Sequence, residues 1–410
     1  GRRYSPLGAI DTVQQHINAS VDALEPDLRA LSLEIHAHPE VAFEEHFAAA
    51  TLTAALEGHG FEVQRGFPDL PTAFRATFEL PGAVSAGGPT VAFIAEYDAL
   101  PGIGHGCGHN LICAAAIGAA AALTRALTAA DAPAVAGRVV VIGTPAEEGG
   151  GGKILLLERG VFEGVDAALM FHAGARTMTT RGSLAAGRVT MKFHGRAAHA
   201  AAAPHLGINA LDACIQTFNG VNALRQHVKD ETRIHGIITH GGDAPNIVPE
   251  YAEARFIIRH RSYEYMREVK EKVFECARHA AASVGATVEL VEGFEYAERR
   301  INLTMAGRFR RHLESLGESV KEPLKTGGVG SSDFGNLSQV VPAIHPYIAM
   351  VPEGVSAHTR EFAEAAASPA GLRAMVLAAK CLAATGAELL TDPTLMDAVK
   401  REFEGGAEKV

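Results

Sequence analysis

Cys107 and His109 stand one glycine apart in the run IGHGCGHN at 103–110. Flanking glycines let the backbone bend so that both side chains can point at one centre. Thiolate and imidazole together suit a borderline transition metal such as zinc. Two more runs end in groups of the same kind: TPAEE at 144–148 closes on Glu147 and Glu148, and AALMF at 167–171 is followed by His172. Successive side chains in an extended segment point to opposite sides. One carboxylate of the pair is therefore expected on a metal, with the other facing a substrate as general base. Two adjacent glutamates are usually just a solvated acidic pair. Here a TPA turn before them and four glycines at 149–152 after them mark a tight strand exit.

The residues between these runs indicate what positions them. TVAFIA at 90–95, RVVVIG at 138–143 and AALMF read as continuous apolar strands, with helices expected over 11–37 (broken or kinked near Pro26), 44–59, 111–127 and 154–160. Such alternation predicts an α/β domain, a mainly parallel sheet with helices on both faces. Ligands of these sheets collect at the carboxyl ends of the strands, where all three runs lie. From 189 the order changes to strand 189–194, helix 209–228, strands 233–239 and 252–259, helix 263–284 and strand 287–296. This is the split β-α-β-β-α-β pattern of a ferredoxin-like α+β unit. The α/β style then returns with a helix at 305–316, a strand at 343–349 and a helix at 369–385. The expected organisation is a discontinuous catalytic domain, 1–186 and 301–410, carrying an inserted lid or dimerisation domain, 187–300.

Composition sets outer bounds. With 47% hydrophobic and 20% charged residues among 410, the chain has ample material for a core and is not mostly disordered. Lys+Arg 37 against Asp+Glu 47 gives 37 − 47 = −10, the wrong sign for a general nucleic-acid binder. The longest apolar run, 111–123, is shorter than the about 20 residues of a bilayer span, so no membrane association is expected. GRRYSPLGAIDTV at the start has no apolar stretch long enough for a signal peptide. Five scattered cysteines do not form a disulfide framework. The expected compartment is cytoplasmic. Three tempting motifs fail: 102–108 lacks the spacing of a dinucleotide fingerprint, GGGGK at 149–153 is followed by Ile154 rather than the Ser or Thr of a phosphate loop, and GSSDFG at 330–335 lacks the residues of a nucleophile elbow. His36 and His38, in HAHPE, are explained by the helix end at Pro39.

Taken together, EYDALPGIGHGCGHN at 96–110, TPAEE, Phe171–His172, GRAAHAAAAP at 195–204, GSSDFG and AHT at 357–359 resemble the aminoacylase/carboxypeptidase metallopeptidase family. The branch resembled is that of aminobenzoyl-glutamate hydrolases and aminoacylase-like dipeptidases, and the likeness runs from His36 to His358. It implies that Cys107, His109, Glu148, His172 and His358 are metal ligands, Cys107 bridging two ions where other branches use aspartate. It makes Glu147 the general base, Asp98 a supporting aspartate and Asn246 a substrate contact. It makes His199 a catalytic residue that reaches a partner subunit's site. Glu96 stands where many branches have a metal-binding histidine, which leaves one or two metals per subunit open. The implied enzyme is a metal-dependent amidohydrolase, with zinc or manganese, cleaving a small N-acyl amino acid, dipeptide or aryl amide as a homodimer paired through the inserted domain. Two other readings stand beside it: hydrolysis of a different C–N bond, such as a carbamoyl group or activated aromatic amine, and a metal-dependent binding protein without catalysis. Arg181, Arg188, Arg255 and Arg259 are candidates to hold a substrate carboxylate.

Overall fold

The computed structural model describes residues 6–82, 87–325 and 329–406; the opening GRRYS lies outside them. Two compact units are present. The first is built from the described residues through Gly182, those from Arg300 to Lys325 and those from Asn336 onward; the second is Ser183–Arg299 with Val329–Gly335. The sequence pattern places that last segment in the first domain instead.

The elements run α1 Pro6–Ala37, α2 His46–Gly58, β1 Glu62–Phe67, β2 Leu70–Glu79, β3 Thr90–Glu96, α3 His109–Leu127, β4 Arg138–Thr144, α4 Gly152–Glu158, β5 Ala167–Leu169 and β6 His172–Gly174. There follow β7 Ala185–His194, α5 Ala210–Leu224, β8 Arg233–His240, β9 Tyr251–His260, α6 Tyr263–Ser283 and β10 Thr287–Glu292. The chain closes with α7 Leu303–Ser315, α8 Phe334–Ser338, β11 Ala343–Ile344, β12 Tyr347–Ala349, α9 Arg360–Ala365, α10 Pro369–Thr391 and α11 Pro393–Glu404.

The first unit is α/β. Its six-stranded sheet has the order β1-β2-β4-β3-β5-β11, with β4, β3, β5 and β11 parallel and the β1–β2 hairpin antiparallel at one edge. Every residue of β3 is buried, because its apolar side chains meet cover on both faces of the sheet. Helices α3 and α10 are long and apolar enough to cross a bilayer, yet 94% and 83% of their apolar windows are buried inside the unit. Their composition is that of core helices. A Cβ at Gly118 of α3 would lie 2.6 Å from Leu28 of α1, so the small residue permits close helix approach.

The second unit is α+β. Its antiparallel sheet has the order β10-β7-β9-β8, with α5 and α6 as the connecting helices. Asn209 and Ser262 cap these helices by accepting from the amides of Asp212 and Tyr265. Met191, Phe193, Phe256, Met266 and Val269 lie in its core.

Several elements depart from expectation. Helix α1 runs unbroken through Pro26. The strands expected at 167–171 and 343–349 each divide: β5 and β11 pair in the main sheet, while β6 and β12 form a separate parallel ribbon. The β1–β2 hairpin was not foreseen.

Candidate metal centre

The centre is built at the carboxyl ends of the parallel strands of the first unit. β3 and β4 end in register, Glu96 opposite Thr144, and each delivers one loop. β3 ends on Glu96 and is followed by Tyr97 and Asp98; the loop then returns through Gly108, whose left-handed backbone (φ 72°) starts α3 at His109. After β4 come Glu147 and Glu148, in a turn closed by Gly152. A Cβ at Gly152 would fall 1.7 Å from the Pro145 carbonyl oxygen, so the turn admits only glycine there. Asp98 ties the two loops together. Its carbonyl and Oδ1 face His109 Nδ1 at 2.7 and 3.1 Å, and its Oδ2 accepts the Glu148 amide at 2.9 Å. His109 is thereby oriented with Nε2 turned to the centre.

His172 opens β6, whose partner is Tyr347–Ala349 of β12. Its Nδ1 donates to the Ala173 carbonyl at 2.6 Å, and its Nε2 lies 3.6 Å from Cys107 Sγ. His358, at φ 66°, is anchored by its amide to the Gly106 carbonyl at 2.8 Å. Its Nε2 is 3.2 Å from Glu148 Oε2. The five expected ligands thus converge, although they come from four stretches of chain. Donor atoms lie within 4.8 Å of one another in three sets: Cys107–His109–His172, Cys107–Glu148–His358 and Glu96–His109–Glu147. Cys107 belongs to two of them.

Opposite placement of Glu147 and Glu148 does not hold. The pair lies in a turn rather than an extended segment. Glu147 Oε2 and Glu148 Oε1 both approach His109 Nε2, at 3.9 and 3.6 Å.

Glu96 Oε2, His109 Nε2 and Glu148 Oε1 are buried with no hydrogen-bond partner. Buried polar atoms are rarely left so. Glu96 Oε2 lies 3.2 Å from His109 Nε2. Two donors about 2.1 Å from one ion stand about 3–3.5 Å apart, so the spacing fits a shared cation. The titration of the site expresses the same field. Burial pushes the Cys107 thiol well up, and the charges of Glu148 and Glu147 add to that against the His109 contact. Burial disfavours the charged form of His109, yet Asp98, Cys107 and Glu96 outweigh it and hold the imidazole proton well above its ordinary range. Burial raises Glu148, but the His358 hydrogen bond, the His109 charge and the Cys107 hydrogen bond bring it to about 2. The centre carries an excess of negative charge that draws a positive one, and its S, N and O donors match a divalent transition metal.

The remaining expected residues, His199 and Asn246, lie in the second unit and are brought together there. His199 pairs with Ile247 across an antiparallel bridge, and the Ala200 amide donates to the Asn246 carbonyl at 3.0 Å. The amides of Ala201 and Ala202 donate to His199 Nδ1 at 3.3 and 3.0 Å. Nδ1 is therefore the acceptor and Nε2 carries the proton. Of the arginines, Arg181 lies over the Tyr347 ring at 4.6 Å and Arg255 pairs with Glu253 at 3.3 Å. Arg188 lies over Tyr296 at 4.7 Å, and Arg259 is half-buried in β9.

Sequence reasoning missed Lys153 and Glu45. Lys153, the lysine of the rejected GGGGK run, is wholly buried, with Nζ 2.5 Å from Glu96 Oε1. A lone lysine in the short apolar helix GKILLLE was the signal available. Glu45 offered none: EEH at 44–46 reads as an ordinary helix start.

Comparison with known proteins gives one family. Residues 92–380 match the model of peptidase family M20/M25/M40. A mouse Xaa-Arg dipeptidase is 39% identical over 98% of this chain and 94% of its own. A p-aminobenzoyl-glutamate hydrolase polypeptide of Escherichia coli K12 is 31% identical over 93% of this chain and 94% of its own. A dinuclear metal-binding peptidase of Bacillus subtilis, from the M20 family, has a similar fold: TM-score 0.69 at 21% identity, over 90% of this chain and 99% of that one.

Proposed function

Because the chain belongs to peptidase family M20/M25/M40 and is a hydrolytic enzyme, we propose that it cleaves the amide C–N bond of a small N-acyl amino acid, dipeptide or aryl amide. The metal ligands in this reading are Cys107, His109, Glu148, His172 and His358, and the general base is Glu147. The observation that carries it is the convergence of these donors around buried atoms with no hydrogen bond, beside one carboxylate that keeps an opening to solvent.

A divalent ion held there supplies a Lewis acid that acidifies water and polarises a carbonyl. Glu147, 13% exposed against 9% for Glu148, takes the proton of the attacking water and delivers it to the leaving nitrogen. Asp98 keeps His109 and the Glu148 backbone in place. Cys107 and His109, each common to two donor sets, would hold a divalent ion with the other donors, and zinc and manganese both suit such a mixed Cys/His/Glu centre. His199 presents an Nε2–H fit to donate to the oxyanion of the tetrahedral intermediate, and Asn246 beside it contacts substrate. In a homodimer paired through the second unit, His199 serves the partner's site. Five free cysteines, four of them buried, favour a cytoplasmic compartment.

The test is a panel of Xaa-Arg dipeptides, p-aminobenzoyl-glutamate, N-acetyl amino acids and an N-carbamoyl amino acid, with zinc or manganese returned to chelated protein. Glu147→Gln should keep its metal by elemental analysis and lose about 100-fold or more in kcat. Near-normal turnover would remove Glu147 from the mechanism, and cleavage of the carbamoyl compound alone would move the chain to a different C–N bond.

A further inference from the structure

Phe43 and Ala146 are two of the five non-glycine residues with positive φ among the described residues, at 66° and 55°. Left-handed backbone costs a residue with a Cβ about 1–2 kcal/mol, so each needs a restraint. One atom restrains both. Glu45 Oε1 accepts from the Phe43 amide at 3.0 Å and from the Ala146 amide at 2.8 Å. Glu45 is wholly buried. Its Oε2 accepts the Thr72 hydroxyl of β2 at 2.8 Å. The Thr72 carbonyl in turn accepts the hydroxyl of Tyr97, between Glu96 and Asp98, at 2.5 Å. A Cβ at Gly150 would fall 2.6 Å from both the Ala146 Cβ and the Phe43 ring, so the two left-handed residues are pressed against the same glycine.

We infer that Glu45 is a positioning residue for the turn that carries the general base. Its hydrogen bonds go to Phe43, Thr72 and Ala146 rather than to the donor atoms of the centre, and it acts through Ala146. Held left-handed, Ala146 turns the chain so that Glu147 and Glu148 point the same way, toward His109, where an extended chain would send them apart. Without the carboxylate, Ala146 relaxes toward ordinary backbone and carries Glu147 off line. A displacement of about 1 Å in a reacting group costs on the order of 100-fold in rate.

The inference rests on Glu147 being the base, and the two are separable. Steady-state kinetics of full-length, metal-loaded protein are measured on whichever member of the panel the parent cleaves. Glu45→Gln keeps an oxygen for both amides, and the Thr72 hydroxyl can turn to accept from its NH2 group. Its kcat should stay within about threefold of the parent. Glu45→Ala should lose on the order of 100-fold in kcat with little change in KM, and the acid limb of its pH–rate profile should move, because the base changes surroundings. Adding Ala146→Gly to Glu45→Ala removes the cost of left-handed backbone and should recover roughly tenfold. A loss confined to stability would lower the amount of active enzyme and leave the pH–rate profile of what remains unmoved. Normal kcat in Glu45→Ala, alongside a dead Glu147→Gln, overturns the inference and spares the base. If Glu45→Ala does not fold, a Glu45→Gln enzyme as slow as Glu147→Gln overturns it equally.

Discussion

Lys153→Met keeps side-chain length and removes one charge. Lys153 is wholly buried, and its Nζ sits 2.5 Å from the Oε1 of Glu96, itself 1% exposed. At that separation the attraction is about 7 kcal/mol for an effective dielectric of 20, most of it offset by the cost of taking both charges out of water. The Glu96 carboxyl lies below its ordinary value: burial pushes it up, while the charge of Lys153, then those of His109 and His172, pull it down. Without the ammonium the buried carboxylate loses its largest compensating charge, at a cost of about 3–5 kcal/mol. The pH dependence follows. In the variant the folded-state pKa of Glu96 is raised, so the penalty is absent where the carboxyl is protonated and grows as pH rises through the carboxylate range. Urea unfolding of metal-stripped protein, followed by circular dichroism, should show the full deficit at about pH 8 and a smaller one at about pH 5. The double variant Glu96→Gln/Lys153→Met should recover much of it, because the Glu96 charge is then no longer stranded. A single variant within about 1 kcal/mol of the parent at the higher pH, or a double variant no better than the single, would refute the reasoning.

Three other outcomes are expected. Cys107→Ala should lower bound metal by elemental analysis, since its sulfur belongs to two of the three donor sets; unchanged metal would demote the cysteine to a turn residue. Glu148 is held at about 2 in the folded protein, against an ordinary 4.5. Its contribution to stability is therefore present above about pH 4.5 and lost as pH falls toward 2. Glu148→Gln should flatten that part of the stability–pH curve, and an unchanged curve would contradict the assignment. Mixed dimers of His199→Ala and Glu147→Gln subunits should regain activity if His199 serves the partner; verified mixed dimers with none would place it within one subunit.

The parallel strands were legible because they are unbroken apolar runs bounded by glycine and proline. The ferredoxin-like unit was legible because its periodicity changes type along the chain. The β1–β2 hairpin was not, since its exposed strand β1, EVQRGF, is polar and shows no alternation. Helix α11 had a start signal that went unread: Asp392, which accepts from the amides of Thr394 and Leu395, followed by Pro393. The division at His172 and at His345-Pro346 follows from pairing between distant strands, which local pattern does not encode. The same limit applies inside the site. Cys107, His109, Glu147, Glu148 and His172 announce themselves by type and by their place at strand ends, whereas His358 entered only through family resemblance. Lys153 and Glu45 are defined by what they touch: a carboxylate 57 residues away in one case, an amide 101 residues away in the other.

The ribbon of β6 and β12 has a consequence for biosynthesis. His172 is seated by Tyr347–Ala349, and His358 lies beyond them, while Cys107, His109 and Glu148 precede the second unit in the chain. A nascent polypeptide therefore makes most of its chelating groups early and holds them unassembled while more than a hundred further residues are synthesised. On the proposed ligand set, the fifth donor arrives only with His358, and a truncation short of it would leave the other four without that partner.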